Sequence, residues 1–198
     1  MLDVFSKIYP IEEEREYIFN TLSSAFSGDA KCDRTSLFLI GKSSAGKSLL
    51  MQSLRSAFSN TYVKEFGSDT FSKSNSNKNK IFNECLHSKQ IRLCWVNELT
   101  GKIDDSLFKS FCEGSVHTCS LYKDGLNEIE HNAKVVLTAN DLPNIRIDSG
   151  TENRIVSHEH RSFFTDDHRE LDDSKYIFKK DKNYWIKLIA MLNIKMLL

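Results

Sequence analysis

Apolar residues in this chain follow two rhythms. Short unbroken runs, Ser36-Leu37-Phe38-Leu39-Ile40, Ile91-Arg92-Leu93-Cys94-Trp95-Val96 and Lys134-Val135-Val136-Leu137-Thr138-Ala139, read as strands buried on both faces. Elsewhere the apolar positions recur at helical spacing. Over residues 9–26, Ile18, Phe19, Leu22 and Phe26 form one stripe, with Pro10 and Glu12, Glu13 and Glu14 at its start and Gly28 at its end. Leu49, Leu50, Leu54 and Phe58 form another, and residues 105–111 read as a third helix. Residues 118–130 predict strand, turn and strand around Asp124-Gly125, a dipeptide favoured in hairpins. Residues 68–80 are Ser-, Asn- and Lys-rich and read as an exposed, locally basic loop or a frayed helix start. Strands separated by helices predict an α/β layered fold with a largely parallel sheet.

At the far end, Trp185, Leu188, Ile189, Leu192 and Met196 fall on one helical face, in a segment too short and too rich in lysine (Lys187, Lys195) to span a membrane. It reads as a core helix. The acidic run Asp166, Asp167, Glu170, Asp172 and Asp173 before it reads as a solvated segment. The expected division is a helical segment over 1–30, a core over 31–165, and an acidic segment with a helix over 166–198.

Composition narrows the picture only slightly. Lysine plus arginine and aspartate plus glutamate both number 27 among 198 residues, so any nucleic-acid partner must be held by a local patch. The five cysteines, at 32, 85, 94, 112 and 119, are odd in number and contain no Cys-x-x-Cys pair. That disfavours a disulfide framework and a zinc site, and it suits a reducing intracellular compartment. The opening residues show no signal-peptide pattern, since an acidic segment rather than an apolar one follows Ser6. His158 and His160 would share one face of a strand, yet no third metal ligand accompanies them.

The chemistry sits between the first strand and the helix after it. Gly41-Lys42-Ser43-Ser44-Ala45-Gly46-Lys47-Ser48 fits the pattern Gly-x4-Gly-Lys-Ser/Thr without a mismatch. Such a loop points successive backbone N–H groups at phosphate oxygens, and the following helix presents its positive end to the same anion. Lys47 would contact the β- and γ-phosphates of a nucleoside triphosphate, and the Ser48 hydroxyl would take a Mg²⁺ position. Glu98, at the end of the second strand, is placed to orient water and hold metal. Asn140, at the end of the third, is placed to bond the γ-phosphate or cap a turn. Arg154 reads as a surface charge or as an arginine finger acting across a subunit interface.

Taken in order, Gly-x4-Gly-Lys-Ser, Trp-Val-Asn-Glu, Lys-x3-Glu-Gly with a hairpin, Val-Val-Leu-Thr-Ala-Asn-Asp-Leu-Pro and Asp-x-Gly-x3-Arg-Ile make the chain resemble the superfamily 3 helicases. Within them it is most similar to the poxvirus- and phage-type primase–helicase NTPases. The resemblance covers roughly residues 9–164. It implies an AAA+-like P-loop NTPase: a central, mostly parallel sheet flanked by helices, with a β-hairpin insertion. It implies an ATP- and Mg²⁺-dependent motor, a homo-oligomeric, hexameric ring in family terms, on single-stranded DNA, with RNA an alternative. A primase or origin-binding domain is a candidate neighbour, and the host cytoplasm or nucleus is the expected location.

By the same resemblance Glu98 is the Walker B acid, Asn140 the sensor and Arg154 the finger offered to the next subunit. The hairpin projects into the ring channel, where Lys123, beside Tyr122, would grip the nucleic-acid backbone, with Lys109 on the preceding helix. Three departures stand out: Asn97 where a second acid is usual, Asn153-Arg154 where paired arginines are common, and Gly114-Ser115 in place of Gly-Asp. They leave a ring-forming ATPase switch, or a nucleotide-binding scaffold without turnover, as alternatives to the helicase. A GTPase switch is disfavoured because no Asn-Lys-x-Asp motif occurs.

Overall fold

Strands that are apolar on both faces must be covered on both sides, and here helices do the covering. A computed structural model describes residues 2–73, 90–99, 101–119, 126–184 and 187, with backbone alone at 2, 117–119 and 126–128. In chain order come α1 (Leu2–Ile8), α2 (Glu12–Ser27), α3 (Ala30–Asp33), β1 (Ser36–Ile40), α4 (Lys47–Tyr62), β2 (Val63–Phe66) and β3 (Leu93–Asn97). There follow α5 (Asp105–Cys112), β4 (Ser115–Cys119), β5 (Leu126–Glu130), β6 (Lys134–Ala139), α6 (Ser149–Glu152), β7 (Ile155–Glu159), β8 (Phe163–Thr165) and β9 (Ile177–Lys179).

The central sheet has five strands in the order β2-β3-β6-β1-β7, every neighbour parallel. Alternation along each strand sends Phe38, Cys94, Val96, Val135 and Leu137 to one face, where they meet Phe108 and Phe111 of α5. It sends Leu37, Leu39, Leu93, Trp95 and Val136 to the other, against Ile8 and Tyr9, Ile18 and Leu22 of α2, and Leu50 and Met51 of α4. The antiparallel pair β4–β5 stands apart from the sheet, and the parallel ribbon β8–β9 forms a third. This is an α/β architecture compatible with a P-loop-like fold. Among the described residues no helix is long and apolar enough to cross a membrane.

Several expectations shift. The helix expected over 9–26 begins at Glu12, and a separate α1 precedes it. The chain bends at Tyr9 between the two, and the fully buried Tyr9 ring packs under the sheet. Gly28 does end α2, in the left-handed conformation (φ 90°). The strand read from Ile91 starts at Leu93, and α4 is interrupted at Ser59 (φ 66°, ψ 167°), leaving Phe58 44% exposed. The polar stretch from residue 68 is not uniformly exposed: Thr70, Phe71 and Ser72 are buried, with Phe71 edge-on to Phe108 and Phe111. A lone aromatic in a polar run was enough to pull its neighbours into the core. The expected terminal helix, apart from Tyr184 and Lys187, lies outside the described residues.

Candidate functional site

Because β6 lies between β1 and β3, the three parallel strands deliver their C-terminal ends side by side. Ile40 pairs with Ala139, and Thr138 with Asn97. Neighbouring strands are roughly 4.8 Å apart, so the loop after β1, Asn140 after β6 and Asn97-Glu98 at the end of β3 share one crevice.

The glycine loop is shaped by contacts on both flanks. Gly46 has φ 92°, and a Cβ there would come within 2.7 Å of the Ile8 side chain. Gly41 (φ 145°) lies against His160, whose Cβ and carbonyl oxygen would both be 3.0 Å from an added Cβ. Ser44, at φ 61°, accepts a hydrogen bond from the Phe164 N–H at 2.9 Å. Lys47 then opens α4 with its ammonium folded back into the loop. It donates to the carbonyl oxygens of Gly41 and of Lys42 (2.8 Å), and at 3.4 Å to Asn140 Oδ1. Burial holds its pKa below that of an ordinary lysine, with Glu98 pulling it back up. The N-terminus of a long helix, a glycine loop and a buried ammonium bonded only to neutral oxygens form a site suited to a polyanion.

Next to it, the Ser48 hydroxyl donates to Asn97 Oδ1 at 3.5 Å. That oxygen is held in place from within the core: Trp95 Nε1 donates to Thr138 Oγ1 at 2.9 Å, and Thr138 Oγ1 donates to Asn97 Oδ1 at 2.8 Å. Asn97, marked in the sequence only as a departure, is therefore the side chain facing Ser48. Glu98 follows in a left-handed backbone conformation (φ 49°), its N–H given to Thr138 O at 2.7 Å, and its side chain exposed at the crevice. Asn140 is also exposed.

Arg154 is not in this crevice. It precedes β7, at the opposite edge of the sheet, where its carbonyl accepts from both the Ser36 N–H and the Ser36 hydroxyl, each at 2.7 Å. Its guanidinium is tied to Gly150 O at 2.5 Å and to the Glu113 carboxylate, and its side chain is only 16% exposed. Lys109 on α5 has both oxygens of Asp148 within 2.8 Å, an ion pair that locks the N-cap of α6 and holds the Asp148 carboxyl far below its usual range. Tyr122 and Lys123 lie outside the described residues.

Two histidines were missed as parts of this site. His160 is buried behind Gly41, packed on Tyr9 with ring centroids 4.9 Å apart. Burial pushes its pKa down to about 3, and among the described residues neither ring nitrogen has a hydrogen-bond partner. His158 packs beside it on the same ring, 3.9 Å from Glu14. The only sequence signal was their alternate spacing, which revealed a shared face but not what that face met.

No protein-family model matches the chain. No curated protein matches it either. Solved structures do. The A-form apo structure of the NrS-1 C-terminal region superposes with a TM-score of 0.60 at 12% identity, over 96% of this chain and 41% of that one. A second A-form structure of that region gives 0.55 at 11% identity over 88% and 40%, and a further apo structure 0.56 at 10% over 88% and 41%. The chain thus shares its fold with part of that region and spans about two fifths of its length.

Proposed function

We propose that the chain is the motor part of an ATP-driven replicative helicase of a viral or mobile-element system, which forms a ring, hydrolyses ATP between subunits and moves along single-stranded DNA. The observation that carries this reading is spatial. Lys47, the Ser48–Asn97 pair, Glu98 and Asn140 converge on one edge of the sheet, while Arg154 is at the other. An arginine held away from its own chain's loop supports a reading in which it serves a neighbour's. The fold shared with the NrS-1 C-terminal region and the ordered motifs of the sequence support the same reading.

In this mechanism the loop N–H groups hold the phosphates, and Lys47 leaves its neutral acceptors to bridge the β- and γ-phosphates. Asn140 bonds the γ-phosphate, Glu98 orients the attacking water, and Arg154 of the adjacent subunit meets the charge that develops in the transition state. The donor set suits Mg²⁺, which needs one or two protein oxygens beside phosphate. The Ser48 hydroxyl and Glu98 would hold it, and bound Mg²⁺ neutralises phosphate charge. Asn97 offers that site a neutral oxygen where a carboxylate would bind metal more strongly, and this one feature favours a second reading, a nucleotide-binding scaffold with little turnover.

ATPase assays with and without single-stranded DNA separate these readings. Lys47→Ala is expected to abolish turnover, and Lys123→Ala to lose the stimulation that single-stranded DNA gives. A wild-type protein that hydrolyses ATP without such stimulation would sink the helicase reading in favour of a ring-forming switch.

A further inference from the structure

Two stretches of sequence, Lys-x3-Glu-Gly and Asp-x-Gly-x3-Arg, meet in space. Lys109 and Glu113 are a helical turn apart and lie on one face at the end of α5. Facing them is α6, with Asp148 just before it and Arg154 just after. The Lys109 ammonium lies 2.8 Å from both Asp148 oxygens, and the Glu113 carboxylate takes the Arg154 guanidinium. The short helix is thus gripped at both ends. Between the two pairs, Gly150 is so close to α5 that an added Cβ would be 3.3 Å from Lys109 Nζ.

The two pairs differ in how firmly they are made. Asp148 also caps α6, accepting from the Thr151 N–H at 2.8 Å and the Thr151 hydroxyl at 3.0 Å. Glu113 is exposed, and Arg154 Nε is buried with no hydrogen-bond partner among the described residues. An arginine bound through its two terminal nitrogens alone, to one carbonyl and one exposed carboxylate, is held but not saturated. Glu113 also occupies the joint from which β4–β5 leaves α5. Beside it, the Gly114 N–H donates to Phe111 O at 2.9 Å, and the Gly114 carbonyl accepts from the His131 N–H at 2.8 Å, so both strands are rooted on this turn. A Cβ on Gly114 (φ 83°) would lie 2.5 Å from the Lys31 side chain and 2.8 Å from His131 O. A joint packed this closely passes a tilt of the strand pair to the end of α5 instead of absorbing it.

We propose that Glu113 is a positioning residue for Arg154, a latch that keeps the guanidinium on its own chain and gives it up when nucleic acid displaces the root of β4–β5. The inference rests on the reading of Arg154 as an arginine offered to a neighbour's triphosphate, and it adds the residue that withholds it and the element that releases it. A guanidinium neutralised by a carboxylate is a poor partner for the charge that develops on a transferring phosphoryl group. Turnover therefore scales with the fraction of Arg154 set free.

Steady-state ATP hydrolysis by the full chain, with and without single-stranded DNA, tests it. Glu113→Gln keeps the side chain's shape and removes its charge. It should raise turnover without DNA at least about threefold, leave the KM for ATP within about twofold of wild type, and shrink the stimulation by DNA by the same factor as the gain. Glu113→Ala should do likewise, and adding Arg154→Ala to Glu113→Gln should abolish the gain. A Glu113 that only braces the fold predicts the opposite sign, because loosening the joint would lower turnover. Unchanged or lower turnover in both Glu113 variants overturns the latch, as does a gain that persists without Arg154 or a stimulation that keeps its wild-type size. In those cases the shared site itself still stands. A wild type that does not hydrolyse ATP or is not stimulated by DNA, or an Arg154→Ala protein with full turnover, overturns the underlying reading and the latch with it.

Discussion

Lys47 is a cation held on neutral oxygens, and its pKa is lowered chiefly by burial. A bound triphosphate would restore it, so complex formation takes up a proton wherever the free lysine has begun to lose one. ATP affinity should therefore fall as pH rises toward the alkaline range, beginning below the ordinary lysine value of about 10.4. Affinity measured between neutral and alkaline pH checks this, and Lys47→Arg should flatten the profile because arginine keeps its charge throughout. Asn97 carries a second consequence. Its amide oxygen is aimed at Ser48 by the Trp95–Thr138 relay, so Asn97→Asp should keep the fold and lower the Mg²⁺ concentration needed for half-maximal turnover several-fold. An unchanged Mg²⁺ titration would remove Asn97 from the metal's surroundings. The turn over residues 41–48 was legible because its two glycines fall where the backbone takes positive φ. The placing of Asn97 was not, since it depends on a hydrogen bond between strands 41 residues apart in sequence.

Among the elements, α5 supports the site from below. Phe108 and Phe111 are fully buried against Phe38, Phe66 and Phe71, so Phe111→Ala should destabilise the chain by about 3–5 kcal/mol in urea unfolding. Periodicity found α5 to within one residue and β6 without error, because both bury a regular stripe. It missed β2, β8 and β9, which have four, three and three residues. Strands so short carry no pattern of their own and exist because a neighbour pairs with them. The missed β8–β9 ribbon matters most, since it closes one side of the glycine loop.

Over the whole molecule, two buried histidines tie stability to pH. His131 is pushed down to about 4 and His160 to about 3, both mainly by burial, so the unfolded chain binds more protons once pH drops below the ordinary value of 6.5. The stabilisation is complete above that value and is lost as pH falls toward the folded values. Between pH 7 and 5 each histidine should withdraw about 2 kcal/mol. Urea unfolding at the two pH values measures the loss, and His131→Gln should reduce it.

The same scale separates Arg154 from the crevice it is proposed to serve. Its side chain is bound to Gly150 and Glu113 at the far edge of the sheet, away from its own Lys47. The sequence offered Arg154 as a surface charge or as a finger acting across a subunit interface, and the fold adds that it lies at the end of the sheet away from the crevice. Mixing two inactive proteins tests this most directly. Lys47→Ala and Arg154→Ala should each fail to hydrolyse ATP alone, while an equimolar mixture recovers activity, because an intact loop on one subunit then faces an intact arginine on the next. No recovery on mixing, or full turnover by Arg154→Ala alone, would contradict a site shared between subunits.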